Sequence, residues 1–418
     1  MKRIMTSGLV LALVACAPKA PPPEAVAAPD PAETAAELHE RLLVMDSHLD
    51  TPANFSKPDY DIMADNPTQL GEVQVDFPKM QRGGLDGGFW VTFLPQGPLD
   101  AASYEAAKTA ALKRNDEIHA MVAAHPDTFE LAYTAEDAAR IAASGKRIVF
   151  QSIENSYPLG TDISMVETFY DRGVRMIGPV HFRDNQFADS ATDLSANDYG
   201  GLSPLGQQLV REANRLGMVL DGSHAADATV DDMIELSTTP IILSHTGAKA
   251  IYDHPRNVDD ALMQKVADNG GVIQINAYGG YLELLEPTPE RQAALDALAT
   301  EFEGETIATA DAETRDRYIA RMKEIDAAFP PPRSTFEKFM EHMNHALELV
   351  GPDHVGMGAD WDGGGGVIGM EDVSFLPKVT ERLLAEGYSA EDIQKIWSGN
   401  LLRVLQQAEA NKETSPAQ

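Results

Sequence analysis

Three polar residues at alternating positions end an apolar run and are the first candidates for chemistry. Residues 42–45 are apolar, and Asp46, His48 and Asp50 follow them. A carboxylate or imidazole that is buried without a partner costs several kcal/mol, so these groups must be solvated, paired or bound to a metal. Carboxylate oxygens and imidazole nitrogens are ordinary ligands of divalent cations. The stretch therefore suggests a metal site, provided that similar residues follow other strands.

Comparable residues do follow most of the other predicted strands. Short apolar runs predict strands at residues 42–45, 88–93, 147–151, 175–180, 218–221, 240–243, 271–275 and 355–358. Amphipathic segments such as 203–216 and 260–268 predict helices between them. The polar residues after these strands are His48, Asp50, Glu154, His181, His224, His245, Asn276, Tyr278, Tyr281, Asp360 and Asp362. Eight strands that alternate with helices predict an α/β fold, a (β/α)8 TIM-type barrel, whose active site lies at the C-terminal strand ends.

Four of the eleven histidines fall at predicted strand ends. A single histidine after a strand is more often a hydrogen-bonded structural residue, but in a barrel these four converge with several carboxylates on one cavity. Without a cation, so many like groups would repel one another or lack partners, and a divalent metal resolves both problems. The other seven histidines are expected at solvated positions: His39, His119, His125, His254, His342, His345 and His354. The pair His342 and His345 has helical spacing, but Glu341 and Asn344 beside it indicate a wet helix face and no metal site.

Composition limits the class of protein and its partners. The chain has 418 residues, 43% of them hydrophobic, which is enough for one large α/β domain or two smaller ones. With 33 basic and 65 acidic residues, the formal net charge is −32. Nucleic acid and anionic lipid surfaces carry the same sign, so we expect no nucleic-acid partner and no membrane contact by the body of the protein.

The N-terminus has the layout of a secretory signal. Lys2 and Arg3 precede an apolar stretch at 8–14, which is too short for a stable membrane span. Residues 13–16 (Leu-Val-Ala-Cys) resemble a bacterial lipobox, so Cys16, the only cysteine, is predicted to carry the lipid anchor. The alternative is an ordinary signal peptide with a chance cysteine. The expected location is the bacterial cell envelope, facing the periplasm, and Ala17 in place of an aspartate favours the outer membrane.

The chain is expected to divide into four parts. Residues 1–15 are the predicted signal peptide, 16–36 a tether rich in proline and alanine, 37–410 the barrel, and 411–418 a disordered tail. With Cys16 lipidated, no disulfide within the mature chain is possible.

A set of short motifs occurs in order along residues 42 to about 408. The motifs are Asp46-Ser47-His48-Leu49-Asp50, the run 74–80 (QVDFPKM), the run 201–206 (GLSPLG), Ser244-His245, Arg256-Asn257-Val258, Asp360-Trp361-Asp362-Gly363 and the run 400–404 (NLLRV). This set resembles the membrane dipeptidase (renal dipeptidase) family, binuclear zinc peptidases within the amidohydrolase-like barrels. The resemblance implies the same barrel that the strand pattern predicts.

The resemblance also implies a metal centre with two Zn²⁺ ions per subunit. In the family pattern, His48 and Asp50 bind one zinc and Glu154 bridges both metals. His224 and His245 bind the second zinc. These ligands agree with the residues found at the strand ends, and no thiolate is available there.

The remaining roles that the resemblance implies concern a dipeptide substrate. His181 contacts its carbonyl, Arg256 holds its free carboxylate, Tyr281 lies near that carboxylate, and Asp360 carries protons at the scissile bond. The implied activity is zinc-dependent hydrolysis of L-Xaa-L-Xaa dipeptides, with L-Xaa-D-Xaa as further substrates, by a hydroxide that bridges the metals. Relatives are often dimers, so a non-covalent homodimer is one expected state.

Two departures from the family pattern border the substrate pocket. Asn155 and Ser156 replace two glycines, and the loop 183–185 (Arg-Asp-Asn) carries its asparagine later than relatives do. Side-chain specificity is therefore open. The charged segment 282–333 is predicted to be a helical insertion between strands seven and eight, either a lid or, with a slight preference, a solvated excursion.

Two other functions compete with the dipeptidase. One is a related barrel hydrolase that acts on N-acyl amino acids, lactones or β-lactams, which Arg256 alone does not separate from dipeptides. The other is an envelope lipoprotein that uses an inactive barrel as a binding module. The complete residue set, including Asp360, argues against the second, because a binding module needs no full set of metal ligands.

Overall fold

The computed structural model describes residues 34–68, 73–193, 199–302 and 312–412. Its strands are β1 (Met45–Leu49), β2 (Gly87–Thr92), β3 (Phe129–Leu131), β4 (Arg147–Ile153), β5 (Val174–Ile177), β6 (Val219–Leu220), β7 (Ile242–Thr246), β8 (Val272–Ile275) and β9 (Val355–Met357). Its helices are α1 (Ala35–Arg41), α2 (Phe77–Arg82), α3 (Ala101–Ala124), α4 (Ala135–Ala143), α5 (Ser164–Asp171), α6 (Pro204–Leu216), α7 (Asp227–Leu236), α8 (Asp260–Asp268), α9 (Gly279–Leu282), α10 (Pro289–Glu301), α11 (Ala312–Ala328), α12 (Phe336–Val350), α13 (Pro377–Ala385), α14 (Ala390–Gln394) and α15 (Asn400–Ala410).

The strands form two parallel sheets that curl toward each other. One sheet has the order β1-β2-β4-β5-β6, with β3 paired to β4, and the other has the order β7-β8-β9. A bridge between Asp221 and Ile242 joins the sheets at one edge, and a bridge between Leu49 and Trp361 joins them at the other. This α/β fold with a curled parallel sheet is consistent with the predicted TIM-type barrel.

The space inside the curled sheet is filled by apolar side chains. The strands β1, β2, β4, β5, β6, β7 and β8 each contribute to one buried cluster, which includes Met45, Phe89, Phe150, Met176, Val219, Ile242 and Val272. Phe89 and Phe150 stack with ring centroids 5.0 Å apart. Leu401, Val404 and Leu405 of α15 join this cluster. The interior is therefore a packed core, and chemistry is confined to the strand ends.

Local capping explains where the helices between the strands begin and end. The side chain of Ser203 caps α6 by accepting bonds from the backbone of Leu205 and Gly206, and Gly217 ends the helix in the left-handed conformation at φ 77°. Asp259 caps α8 in the same way. The helix predicted at 260–268 is confirmed, and the one predicted at 203–216 differs only because Ser203 is the cap.

Two predicted strands are displaced from the observed ones. The predictions for 42–45 and 240–243 ended at the first polar residues, whereas β1 and β7 continue through Asp46, Ser47, His48, Ser244 and His245. Several of these polar side chains find partners within the curled sheet: the Ser47 hydroxyl donates to the Ser244 carbonyl at 2.5 Å. The strand β3 was not predicted, because a three-residue strand carries no usable periodicity.

Parts of the chain ends lie outside the described residues. These are the predicted signal peptide, the tether as far as residue 33 and tail residues 413–418. The helix α1 begins within the predicted tether, because Thr34 and Glu37 form a capping box. At the other end, the Asn411 side chain donates to the Thr238 hydroxyl at 2.6 Å, so the predicted tail begins with an ordered residue. Among the helices that the structure describes, none has the length and apolarity to cross a bilayer.

Candidate metal centre

The strand ends of the curled sheet bring the predicted site residues together. His48 lies in β1 and Asp50 directly after it, Glu154 directly follows β4, and His245 lies in β7. The other site residues follow strands at short distance: His181 after β5, His224 after β6, Tyr281 after β8 and Asp360 after β9. All of them therefore reach the face where parallel barrels carry their chemistry.

One oxygen atom of Glu154 lies at the middle of the group. From its Oε1 the Nε2 atoms of four histidines are 3.1 Å (His224), 3.4 Å (His245), 3.6 Å (His181) and 3.7 Å (His48) away. Glu154 is 5% exposed, so its carboxylate receives little help from water. A bridging position for this carboxylate agrees with the geometry.

Two further carboxylates lie on the other side of His48. Its Nε2 atom is 3.4 Å from Oδ2 of Asp50 and 4.0 Å from Oδ1 of Asp360. The ligand atoms of these three residues all lie within 4.8 Å of one another. The same holds for His48, Glu154 and His245, and for Glu154, His181 and His224. Each of the five predicted ligands thus belongs to a group that could hold a metal, and His181 and Asp360 lie close enough to join them.

The imidazole nitrogens in this centre fit a metal. Neither nitrogen of His48 has a hydrogen-bond partner, although the residue is 1% exposed, and Nδ1 of His224 also has none. The Nε2 atoms of His224 and His245 face each other at 2.9 Å. Buried polar atoms are otherwise nearly always paired, so the unpaired Nε2 of His48, which lies 3.4 Å from Asp50 and 3.7 Å from Glu154, fits a bound cation. With nitrogen and oxygen donors only, the set suits zinc.

The electrostatics point the same way. Burial, together with the nearby Arg256 charge, lowers the pKa of both His224 and His245 well below the usual histidine value. These two imidazoles are therefore neutral, the form that binds metals. At His48 the effect of burial is outweighed by the carboxylates of Glu154 and Asp50, which raise the pKa to about 10, so metal binding there must displace a proton. Burial and repulsion from Asp50 raise the pKa of Glu154 well above its usual value, and they raise that of Asp360 to about 8. A cation between these carboxylates would offset that cost.

Serine and aspartate residues behind the ligands hold them in place. Asp46 was a candidate for chemistry from the sequence, but neither it nor Ser244 nor Asp221 was given a role. Nδ1 of His245 lies 2.9 Å from the Ser244 hydroxyl, which donates to Asp221 Oδ2 at 2.6 Å. The Asp46 carboxylate accepts from the backbone of His48 at 2.8 Å and of Ala359 at 3.0 Å. The available signal was their position, because Asp221 ends a predicted strand and Asp46 follows one.

The predicted substrate residues line the same cavity. Arg256 is 2% exposed, its Nη2 donates to the His245 carbonyl at 2.6 Å, and its guanidinium lies 5.6 Å from the Tyr281 ring centroid. The Nε of Arg256 has no partner. The ring of His181 lies 3.8 Å from that of Phe182, which is half exposed and was not predicted as a site residue.

Backbone strain is concentrated at this centre. Among the described residues, those other than glycine with positive φ are His224 (67°), Asp360 (63°) and Asp362 (64°). Such conformations cost on the order of 1–3 kcal/mol each and cluster at functional sites. Histidine and aspartate adopt positive φ more often than most other non-glycine residues, but no local pattern in the sequence singles out these three.

Two of the histidines that were expected to be solvated are buried, and that expectation was wrong for them. His39 is 3% exposed and His342 is fully buried. His39 pairs with the Thr380 hydroxyl at 2.7 Å and the Gly83 carbonyl at 2.9 Å. Their partners are far away in sequence, so a local pattern does not reveal them.

The two departures from the family pattern contact each other. The Asn185 side chain donates to Oδ1 of Asn155 at 3.1 Å and to the Pro179 carbonyl at 2.9 Å. The Ser156 hydroxyl donates to the Gly178 carbonyl at 2.7 Å. The loops after β4 and β5 are thus bonded together beside Glu154 and His181.

A parallel sheet with a cluster of histidines and carboxylates at its C-terminal face defines a class of metal-dependent barrel enzymes. Comparison with family models narrows this class. The model described as "Membrane dipeptidase (Peptidase family M19)" matches residues 32–418. The chain belongs to this family, as its motifs indicated, and is a metallo-dipeptidase.

Individual relatives agree with this assignment. The chain is similar to "Dipeptidase tcpJ" of Claviceps purpurea, with 30% identity over 358 residues, which are 84% of this chain and 73% of that protein. It is 27% identical over 380 residues to human "Dipeptidase 3", covering 90% of this chain and 67% of that protein.

Solved structures give the same result for the fold. The probable dipeptidase PvdM from Pseudomonas aeruginosa is 34% identical with a TM-score of 0.78, over 90% of this chain and 98% of that one. A metallo peptidase from Rhodobacter sphaeroides, solved with a phosphinate mimic of L-Ala-D-Ala, is 23% identical with a TM-score of 0.68 over 88% and 99%. The second likeness supports the fold alone.

Proposed function

We propose that this protein hydrolyses dipeptides with a free C-terminal carboxylate and uses two zinc ions to do so. His48 and Asp50 would hold one ion, Glu154 both, and His224 and His245 the second. The observation that supports this most is the buried, unpaired state of the His48 nitrogens beside three carboxylates. When bound by such ligands, zinc supplies Lewis acidity and activates water as a nucleophile.

Arg256 would select the substrate by binding its carboxylate. The side chain is buried and anchored through Nη2 to the His245 carbonyl, and its Nε has no partner. A guanidinium so placed can form charge-assisted hydrogen bonds to a carboxylate. Tyr281 stacks beside it and would limit the space at this end of the cavity.

Asp360 and His181 would act at the scissile bond. Asp360 lies 4.0 Å from His48 and could transfer a proton to the leaving amine. His181, whose Nε2 lies 3.6 Å from Oε1 of Glu154, could donate a hydrogen bond to the oxygen that becomes negative. Such a donor is worth roughly 3–4 kcal/mol where it has been measured.

A dipeptide panel tests this proposal. Purified full-length protein, loaded with zinc, is assayed on L-Xaa-L-Xaa and L-Xaa-D-Xaa dipeptides and on the same peptides with amidated C-termini. We expect fast cleavage of the free dipeptides and a large loss on amidation, because the amide has no charge for Arg256. Equal cleavage of both sets would remove the carboxylate from the proposal.

The same assay covers the alternative substrates. If the protein binds zinc and cleaves no dipeptide, N-acyl amino acids, lactones and β-lactams are tested next. In that case the substitutions Asn155 and Ser156 have changed the pocket and not the metal centre. A protein that binds zinc and cleaves none of these compounds would instead favour the binding module.

We also propose that the chain is an envelope lipoprotein anchored through Cys16 and facing the periplasm, with the outer membrane favoured. The support is the sequence of residues 2–17 alone. Fractionation of cells that express the wild type and Cys16→Ser would test it. Release of the variant from the membrane fraction is expected, and an unchanged distribution would reject the anchor.

Finally, we propose that the strands other than β3 close into a (β/α)8 barrel and that 282–333 is a helical excursion from it. The support is that α10 and α11 have their own small core, formed by Leu298, Phe302 and Ile325. Replacing residues 289–328 by a short glycine-serine linker should change kcat/KM less than threefold. A loss of tenfold or more would make the segment a lid.

A further inference from the structure

The motif at residues 74–80 has no role in the chemistry described so far. Its first residue, Gln74, is 1% exposed and contacts the loop that follows β9. The backbone N–H of Gln74 donates to Oδ1 of Asp362 at 2.6 Å, and the backbone N–H of Asp362 donates to Oε1 of Gln74 at 2.8 Å. The two residues therefore bond each other reciprocally.

The other atoms of this pair extend the connection in both directions. Nε2 of Gln74 donates to the carbonyls of Gly365 at 2.7 Å and Glu371 at 3.0 Å. Oδ2 of Asp362 accepts from the Thr51 hydroxyl at 2.7 Å. Both polar ends of Gln74 and both carboxylate oxygens of Asp362 are thus used in holding backbone segments together.

The segments held in this way carry two carboxylates of the metal centre. Thr51 directly follows Asp50, whose backbone N–H donates to the Trp361 carbonyl at 2.8 Å. Asp360 lies two residues before Asp362, and both have positive φ. A side chain on Gly363 would collide with the carboxylates of Asp50 and Asp360. The loop is therefore packed against both groups in a backbone conformation that needs external support.

We propose that Gln74 and Asp362 are positioning residues that fix the distance and orientation of Asp50 and Asp360 at the metal centre. This inference rests on the proposed function, because it assigns Asp50 to a metal and Asp360 to proton transfer. Residues that support metal ligands typically change metal affinity or activity by about 10–100-fold when they are mutated. A residue that only stabilises the fold would change neither at temperatures below unfolding.

The decisive variants are Gln74→Ala and Thr51→Val, with Thr51→Ser as the conservative rescue. Zinc affinity is measured by competition with a chromophoric chelator, and kcat and KM are measured on L-Ala-L-Ala with the full-length protein. Gln74→Ala should weaken one zinc site at least tenfold and lower kcat at least tenfold, with KM changed less than threefold. Thr51→Val should show the same pattern at about threefold, and Thr51→Ser should restore it.

Gln394→Ala is the matched control. The Gln394 side chain binds the backbone N–H and carbonyl of Leu43, both at 3.1 Å. Leu43 precedes the N-terminal end of β1, which is the end away from the metal centre. This variant should lower the melting temperature and leave zinc affinity and kcat within twofold of the wild type. If Gln394→Ala reduces them as much as Gln74→Ala does, the effect is general destabilisation and the inference is wrong.

Other outcomes separate this inference from the proposed function. If Gln74→Ala and Thr51→Val both keep the zinc affinity and kcat of the wild type, the inference is wrong. The proposed function stands in that case as long as the wild-type protein cleaves dipeptides. If the wild type cleaves no dipeptide, the proposed function fails, and zinc affinity alone decides the positioning role. If Gln74→Ala fails to fold, the test rests on Thr51→Val, which only replaces a hydroxyl group by a methyl group.

Discussion

Buried histidines occur in two regions of this molecule, and their hydrogen bonds distinguish the regions. At the strand ends, neither nitrogen of His48 has a partner, and Nδ1 of His224 has none. On the buried face of α12, Nδ1 of His342 accepts from the backbone of Ala248 at 3.0 Å, and its Nε2 pairs with the Leu282 carbonyl at 2.9 Å. Burial is the same in both regions, so it does not identify the functional histidines.

The difference teaches that the surroundings of a buried imidazole mark a metal ligand here: the Nε2 atoms of His48, His224 and His245 all lie within 3.7 Å of Oε1 of Glu154. A buried imidazole that satisfies both nitrogens within the protein is complete without any ligand. One whose nitrogen faces several buried carboxylates lies among groups that a bound cation would stabilise. The predictions below test this distinction, from the largest expected effect to the smallest.

The largest effect is expected at a histidine with an unpaired nitrogen. His224→Gln should lower kcat/KM by about a thousandfold or more, which is about 4 kcal/mol in transition-state stabilisation. Metal content, measured by inductively coupled plasma mass spectrometry, should fall toward one zinc per chain. The matched variant is His39→Gln, because both nitrogens of the buried His39 are paired. This variant should keep its metal and its kcat. Full metal content in His224→Gln would break the distinction.

A smaller effect is expected at Arg256, which we propose binds the substrate carboxylate and not the metal. Arg256→Ala should raise KM by about 30-fold or more, because a charge-assisted hydrogen bond to a buried group is worth roughly 1.5–3 kcal/mol. Steady-state kinetics on L-Ala-L-Ala measures this change, and Arg256→Lys should recover part of it. Zinc content should stay at the wild-type level. Loss of metal in Arg256→Ala would contradict its role.

A residue behind a ligand should matter less than the ligand. Ser244→Ala removes the hydroxyl between His245 and Asp221, so zinc affinity should fall by about tenfold. Competition with a chelator measures this affinity. Ser144→Ala removes a hydroxyl bond to the Ile141 carbonyl at the end of α4 and serves as the control. Equal losses of zinc affinity in both variants would show that the Ser244 hydroxyl has no specific role in supporting His245.

At His39, a buried histidine with both nitrogens paired, acid should lower the free energy of unfolding and leave the metal content unchanged. Burial lowers the pKa of His39 below its ordinary value of about 6.5. Since the unfolded chain binds this proton more readily, the free energy of unfolding should fall as the pH decreases below that value. Urea titrations between pH 8 and pH 5 would measure the slope. His39→Gln should be less stable at pH 8, by about 1–3 kcal/mol, and should show a shallower slope. An identical slope would exclude His39 as a source of the acid sensitivity.

The parts of the fold that were predictable from sequence are those with local signals. The amphipathic helices α6 and α8 follow from periodicity, except that Ser203, predicted as the first residue of α6, is its cap. The site residues were found because parallel strands place their ends on one face, so Glu154, His224 and His245 needed only to follow strands. The family motifs added the assignment to the membrane dipeptidases, which the comparisons confirm.

What was missed depends on contacts between distant parts of the chain. The end of β1 was misplaced because Ser47 is polar, yet its partners lie in β7 and β9. The Gln74–Asp362 pair spans 288 residues, and the pairing of His39 with Thr380 spans 341. Positive φ at Asp360 has no sequence signal, because the surrounding bonds impose it.

The hydrogen bond between Asn155 and Asn185 has a consequence for how this enzyme can evolve. It joins the loops after β4 and β5 beside Glu154 and His181, so a mutation in either loop alters the support of the other. Effects of substitutions at the two positions should therefore be non-additive, by about 0.5–3 kcal/mol as for other residues in contact. New substrate preferences would then require changes at both positions. A variant with a single substitution at Asn155 or Asn185 would be less active than either the starting protein or the double variant.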